Sequence, residues 1–482
     1  MITKTIIKEP KTQSMDSDVT GKVFFWENKI FRGINETQID RIKHLFNCGL
    51  IAELEANYII PKTWICTEYE IHGFELLLQH ELIPINLRPN QWSTEMFIDA
   101  TKLVLNINKI LFKYGYSLQD AHAYNIMFYG TRPVYVDIGS FMPLDEGYIT
   151  LNSFAQEYIS YFHHYTKLIE ANHIHLFRTL LNSYERGFHF SEYLYFKYGE
   201  KLLSNKFFKR YIGLKYEELY FKKTILKRFI NKFKIRKPKD IIIKSPHERS
   251  DYRNPTKDFN LDYFIDSISK IKPKNINSFW GSYHSSIIDS PHFTQERFFI
   301  LAEIINTLPI STAIEIGGNQ GYFTKILLEK TKLENIICSD YDEDALNIMY
   351  QNFKIINTTK VSPMYLDFTL PYGDPKDEID LYDRVKQELV IMLAVSHHLV
   401  LTQQIPIDFI LQRLAKFTSK YVMIEFMPLG LYDPDHPHYS ITPPVWYNEE
   451  WFTQAFEKHF ELVKRIQTEV NRIAFIGKIK TN

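Results

Sequence analysis

Along the first third of the chain the spacing of apolar residues changes several times, and each change marks an element. In "GKVFFWENKIFRGI" (21–34) apolar and aromatic residues alternate on either side of Glu27-Asn28, which predicts two short strands about a turn. "FNCGLIAELEANYIIP" (46–61) reads as a helix followed by extended chain, and "WICTEYEIHGFELLLQHELIPI" (64–85) as strands broken at His72-Gly73. "STEMFIDATKLVLNINKILFKYG" (93–115) has apolar residues at helical spacing, start signals at Ser93-Thr94-Glu95 and a stop at Gly115; it predicts a long amphipathic helix. A small β-rich region, a crossing segment, a long helix, a polar loop and two short strands therefore follow one another. From about Phe154 to Phe233 the pattern turns helical and aromatic.

The back half has a different rhythm. "TAIEI" (312–316), "NIICSD" (335–340), "MYLDFTLP" (364–371), "ELVIMLAVSHHLVL" (388–401) and "YVMIEFMP" (421–428) are apolar runs separated by helical stretches such as "YFTKILLEK". Five strands alternating with helices imply an α/β fold, a mostly parallel sheet with helices on both faces. Ligands of such sheets sit at the carboxyl ends of the strands. The polar "KSPHERSDYRNPTKDF" (244–259), with two prolines, is the best linker between the halves. The expected organisation is a flexible tail over 1–20, an α+β domain over 21–240, linker and lid helices over 241–292 and the α/β domain over 293–482.

Composition adds limits. At 482 residues, 45% hydrophobic and 24% charged, the chain is ordinary globular material for two or three domains. Lys+Arg and Asp+Glu balance at 57 each, so the whole molecule has no field that argues for nucleic acid or an acidic membrane. The basic run at 222–239 leaves contact with phosphate or an anionic surface open, beside the plainer reading of a solvated helical face. Cys48, Cys66 and Cys338 are far apart, which argues against a zinc knuckle or disulfide framework and fits a reducing compartment. With no signal-peptide core and no apolar run of about 18 residues, a soluble cytoplasmic protein is expected.

Candidate chemistry is densest where "TAIEI" runs into Gly317-Gly318-Asn319-Gln320-Gly321 and then a helix, with Asp340 ending the next strand nineteen residues after Gly321. Glycines let the backbone turn sharply and a ligand approach closely, and an acid at the second strand tip accepts hydrogen bonds from ribose hydroxyls. The spacing is not Gly-x-Gly-x-x-Gly, and Glu315 precedes the first glycine; a carboxylate aimed into the turn repels a pyrophosphate but suits an amino group and a sulfonium. This set resembles the class I S-adenosylmethionine-dependent methyltransferases, with Asn319 in place of the family's middle glycine. The resemblance implies a Rossmann-like domain, S-adenosyl-L-methionine as cofactor, and Glu315, Gly317, Gly318, Asn319, Gly321 and Asp340 around it. It further implies Asp367 at the adenine amino group, Phe368 beside the adenine ring, and substrate-side residues at Ser396-His397-His398. His397 or His398 is the candidate base for a hydroxyl acceptor, since imidazole titrates near neutrality; the alternative is that one packs and the other holds substrate or a carbonyl. Trp280, Tyr283 and "HFTQERFFIL" precede the first strand, where similar enzymes carry a lid, or else they are core aromatics.

A second constellation lies in the front half, in "SLQDAHAYNIMFYGTRPVYVDIGSF" (117–141). Its order of Asp, His, Asn, strand and Asp resembles the protein-kinase-like superfamily, particularly its small-molecule phosphotransferase branch. That resemblance implies Asp120 as base, Asn125 and Asp137 as magnesium ligands, "ELLLQHELIPI" as the segment against adenine, and ATP with Mg2+ as cofactors. No Gly-rich phosphate loop precedes it, and the candidate phosphate-pairing cations are Lys29 and Arg32. Nearly the whole chain is similar to bacterial proteins identified as class I methyltransferases of unestablished acceptor. Two readings follow: a methyltransferase whose kinase-like front half binds substrate or a partner, or a bifunctional enzyme that phosphorylates and methylates one acceptor such as a polysaccharide terminus. The acceptor, whether small molecule, glycan or protein side chain, stays open.

Overall fold

The computed structural model describes residues 5–12, 18–144, 154–155, 157–182, 261–274, 276–278, 280–281, 283, 295–371, 373, 380–432 and 442–480. The basic run 222–239 and the linker 244–259 lie outside the described residues. No helix among the described residues is long and apolar enough to cross a membrane.

The front half begins with β1 (Thr5–Ile6), β2 (Lys11–Thr12), β3 (Gly21–Trp26) and β4 (Lys29–Ile34), then α1 (Ile39–Asn47), α2 (Leu50–Ala56), β5 (Thr63–Ile65), β6 (Tyr69–Glu70) and β7 (Leu76–His80). Residues 5–12, expected in a flexible tail, are paired: β1 with β6 and β2 with β3. Five strands form an antiparallel sheet in the order β2-β3-β4-β7-β5. The β3–β4 turn falls at Glu27-Asn28, both with positive φ (44° and 60°), the backbone a two-residue hairpin needs. The helix expected within 46–61 is α2, and Gly49, at φ +85°, separates it from α1.

Helix α3 (Thr94–Lys113) follows, with the Ser93 Oγ accepting from the Met96 amide at 3.2 Å and Gly115 ending it at φ +78°. Next come β8 (Tyr116–Leu118), β9 (Ile126–Tyr129), β10 (Arg132–Tyr135) and β11 (Phe141–Pro143); β9 and β10 form a small hairpin, and β8 pairs antiparallel with β11. Helices α4 (His164–Glu170), α5 (Ile174–Leu181) and α6 (Leu261–Lys270) complete this half. Helix α6 was expected as part of the linker and lid, but it packs on the front half. Its Phe264 ring lies 5.2 Å from that of Tyr158, and Lys109 on α3 pairs with Asp262 at 2.8 Å.

The back half runs α7 (Glu296–Thr307), β12 (Thr312–Ile316), α8 (Tyr322–Lys330), β13 (Asn335–Asp340), α9 (Glu343–Ile356), β14 (Val361–Tyr365), α10 (Leu381–Val385), β15 (Gln387–Met392), α11 (Ser396–Leu401), α12 (Ile407–Phe417), β16 (Thr418–Phe426), α13 (Glu449–His459), β17 (Phe460–Glu469) and β18 (Arg472–Ile479). One sheet carries all seven strands in the order β14-β13-β12-β15-β16-β18-β17. The first five are parallel, and their nearly unbroken apolar sequences are what burial on both faces selects. β18 inserts antiparallel between β16 and β17, an ending the pattern of five strands did not include. The chain reverses its winding between β12 and β15, which opens a crevice at their carboxyl ends.

The two halves share one continuous apolar core and a polar seam where α3 meets α9. The Tyr350 hydroxyl lies 2.8 Å from Asp99 Oδ2 and 3.0 Å from the Thr131 carbonyl. Lys354 pairs with Asp99, and Arg384 donates to the Asn86 carbonyl and Gln91 Oε1 at 2.7 Å each.

Candidate functional site

The glycine turn is shaped from below. Gly317 and Gly321 sit at φ +72° and +81°, conformations that L side chains resist. A Cβ on Gly317 would lie 2.5 Å from Val395 Cγ2, one on Gly318 2.4 Å from Cys338 Sγ, and one on Gly321 2.5 Å from Phe353 Cε2. The glycines thus allow the sharp turn that was expected and, in addition, its close seating on strand and helix. Asn319 takes φ +50°, which Asn tolerates better than other non-glycine residues; this accounts for Asn in place of the middle glycine.

Glu315 is also placed differently from expectation. Its carboxylate turns under the loop, accepting from Thr324 Oγ1 at 2.5 Å with Cys338 Sγ at 3.6 Å, instead of pointing into the turn. Burial pushes this carboxyl up to about 7, against the Thr324 hydrogen bond that holds it down. The residue anchors α8 to the strand and supports Gly318 from beneath.

Asp340 closes the other side. Its Oδ2 accepts from the Asn319 amide at 2.7 Å and its Oδ1 from the Asp342 amide at 2.9 Å. Burial raises this carboxyl to about 6, opposed by those amides. A carboxylate has about four acceptor positions, and the Asn319, Asp342 and Tyr341 amides engage it, so it keeps capacity for a further donor. The Asn319 side chain donates to the Trp280 carbonyl at 2.8 Å, and its Oδ1 is buried without a partner among the described residues. Gln320 Nε2 donates to the Gly281 carbonyl at 2.7 Å. The segment around Trp280 is thus tied directly to the turn.

Asp367 follows β14, two residues past its end, and its Oδ1 takes three bonds, from Thr369 N, Thr369 Oγ1 and Leu370 N at 2.8, 2.7 and 3.1 Å. Phe368 points into the core, its ring 6.2 Å from that of Phe417; the structure does not bring it to the crevice wall where an adenine neighbour was expected.

The two histidines lie in the first turn of α11, after Ala394, which holds a strained φ of +53°. The Ala394 amide donates to Glu425 Oε2 at 3.0 Å and Ser396 Oγ to the Glu425 carbonyl at 2.7 Å, so β16 fixes this corner. Glu425 is fully buried and held by Arg472 at 3.0 Å, with Arg297 at 3.5 Å. His397 is 5% exposed, and burial, then His398 and Arg472, hold it well below the usual imidazole range. His398 is half-buried and lowered by burial; its ring stands edge-on to Trp280 at 4.9 Å. Of the pair, His398 faces the Trp280 segment.

In the front half, Asp137 accepts from Arg32 Nη1 at 2.6 Å and from the Gly139 amide at 3.1 Å, while Arg32 Nη2 pairs with Asp18 at 2.8 Å. Of the two candidate cations, Arg32 is buried in this cluster. Lys29 instead lies at the surface, 2.8 Å from the Tyr69 hydroxyl. Asn125 Nδ2 donates to the Asp120 carbonyl at 3.1 Å. Burial, then Asp137 and Asp18, raise the Asp120 carboxyl, and burial and Asp120 push Glu157 up to about 8. Of the expected metal ligands, Asp137 is thus engaged at Oδ1 by a guanidinium and an amide, and Asn125 is oriented through its side-chain nitrogen. Among the described residues no group of three or more His, Cys, Asp or Glu is arranged to hold a metal ion. Asp18 and Glu157 carried no spacing signal, being distant in sequence from Asp120.

No family model matches the chain. It is 23% identical over 364 residues to "Nodulation protein NoeA" of Rhizobium meliloti (strain 1021), covering 73% of this chain and 71% of that protein. Among solved structures it is similar to a SAM dependent methyltransferase from Aquifex aeolicus, at 14% identity and TM-score 0.30, covering 41% of this chain and 98% of that one. It is also similar to magnesium protoporphyrin IX methyltransferase (ChlM) from Synechocystis PCC 6803 with bound SAH, at 13% identity and TM-score 0.31, covering 42% of this chain and 96% of that one.

Proposed function

We propose that the back half binds S-adenosyl-L-methionine and transfers its methyl group to a polar acceptor, a small molecule, glycan or protein side chain, with the front half binding that acceptor or a partner. The observation that carries this reading is the join of the glycine turn to the acid of the next strand, Asn319 amide to Asp340 carboxylate at 2.7 Å, at the point where the sheet reverses its winding. The residues present fit the cofactor: the Asp340 carboxylate keeps acceptor capacity beyond its backbone amides for a ribose hydroxyl, and the unpartnered Asn319 Oδ1 lies in the turn beside it.

When bound, the cofactor supplies a methyl group on a sulfonium and departs as the thioether. The protein's share is alignment and exclusion of water. Trp280, tied to Asn319 through its carbonyl, would cover the crevice between Asp340 and His398. His398 is the better candidate to take a hydroxyl proton, because burial favours its neutral form and it faces Trp280, whereas His397 is enclosed. Calorimetric titration with S-adenosylmethionine tests the reading: binding by the wild type and a loss of about two orders of magnitude in Asp340→Ala are expected, two buried hydroxyl partners being removed. Absence of binding by the wild type sinks it.

The bifunctional reading is favoured by one observation, the Arg32–Asp137 pair between the five-stranded sheet and the loop after β10, where kinase-like proteins keep a phosphate-pairing cation and a metal-binding acid. ATP-Mg2+ binding that Asp137→Ala abolishes would support it, and no ATP binding would retire it.

A further inference from the structure

Four acids, Asp340, Asp342, Glu343 and Asp344, lie at and just beyond the tip of β13, and they are engaged in three directions. Asp340 holds the glycine turn. Asp342 caps α9 through the Ala345 amide at 3.1 Å and accepts from Ser278 Oγ at 2.7 Å. Asp344 accepts from the Ile276 and Ser278 amides at 3.0 and 2.9 Å. Glu343 turns away from the crevice into the front half, where its Oε1 accepts from the Thr94 amide at 2.6 Å and its Oε2 from Arg178 Nε at 3.0 Å and from Arg178 Nη2.

Arg178 is itself fixed from two further sides. Its Nη1 donates to the Asn90 carbonyl at 3.2 Å, and its guanidinium lies 3.7 Å over the centre of the Tyr365 ring. Tyr365 is the residue of β14 paired with Asp340, and the Leu366 amide donates to the Asp340 carbonyl at 3.0 Å. One front-half side chain therefore touches the end of β14, at the residue paired with Asp340, and the first residue of α9, three beyond Asp340. A planar guanidinium can stack on a ring while directing two donors to one carboxylate; an ammonium cannot.

We infer that Arg178 and Glu343 are positioning residues for cofactor binding, acting through Asp340. This rests on the methyltransferase reading. Asp340 is oriented by backbone amides of two loops, and the loop that follows it is braced by Arg178. Without the brace the turn shifts against β14, and the ribose and adenine contacts no longer form together.

The test is calorimetric titration of S-adenosylhomocysteine into full-length wild type, Arg178→Lys, Glu343→Gln and Tyr350→Phe, with Tm measured for each. Tyr350 lies on the same seam but engages Asp99 and Thr131, not the acidic turn. Arg178→Lys and Glu343→Gln are expected to raise Kd about tenfold or more, a typical coupling between sites, while Tyr350→Phe lowers Tm and keeps Kd within about twofold. Should Glu343→Gln fail to fold, the conservative Arg178→Lys decides. Unchanged Kd in Arg178→Lys overturns the inference and leaves the methyltransferase reading standing, as does an equal loss in Tyr350→Phe, which would make the effect one of general seam stability. No binding by the wild type removes both.

Discussion

Glu315 has a carboxyl that ionises only at a cost, because the fully formed sheet and α8 exclude water from it. Its folded value of about 7 lies above the ordinary 4.5, so the folded state binds its proton more tightly than the unfolded state does. The stability this contributes is complete below the unfolded value and is lost as pH rises through about 7. Glu315→Gln, which keeps an oxygen for Thr324, is expected to remove this loss, worth on the order of 3 kcal/mol between pH 5 and pH 8. Asp340 and Glu157, raised to about 6 and about 8, act in the same sense, so the variant's profile should flatten without becoming level. Thermal denaturation across that range checks it; superimposable wild-type and variant profiles would refute the assignment. At this scale the residue types were legible and their directions were not. Glu315 and Phe368 stand at the positions expected, yet one turns beneath the loop and the other into the core, since side-chain direction depends on partners such as Thr324 and Phe417 that no local spacing records.

Elements with one dominant driving force were legible. The parallel strands read as apolar runs because both faces are covered, and α3 reads from its Ser93 cap and Gly115 stop. The β17–β18 hairpin did not, because β17 presents exposed positions and two register shifts, between Leu462 and Lys464 and between Gln467 and Glu469, break its alternation. The β9–β10 hairpin has its own constraint. Its turn glycine, Gly130, has φ +62°, and a Cβ there would lie 2.4 Å from the Thr358 carbonyl oxygen of the back half. Gly130→Ala should therefore destabilise the protein by about 2 kcal/mol or more, combining a left-handed backbone with a backbone clash. A lowered urea midpoint with an unchanged slope is the expected result.

Across the whole molecule, the division into halves was legible from the change of pattern, but the seam was not. Its partners, such as Arg178 and Glu343, are 165 residues apart. The seam buries Tyr350, Met364 and Glu343, so a fragment of residues 293–482 alone is expected to aggregate, whereas the full chain does not; size-exclusion chromatography distinguishes them, and a monodisperse fragment would contradict a shared core. The same seam sets a schedule during synthesis. The front half leaves the ribosome with Thr94, Asp99 and Arg178 lacking their counterparts, and at about 5–20 residues per second the acid that Arg178 must meet arrives roughly ten to thirty seconds later. Over that interval the nascent chain carries an incomplete core, and chaperone occupancy on it should be highest between the emergence of α5 and that of β14.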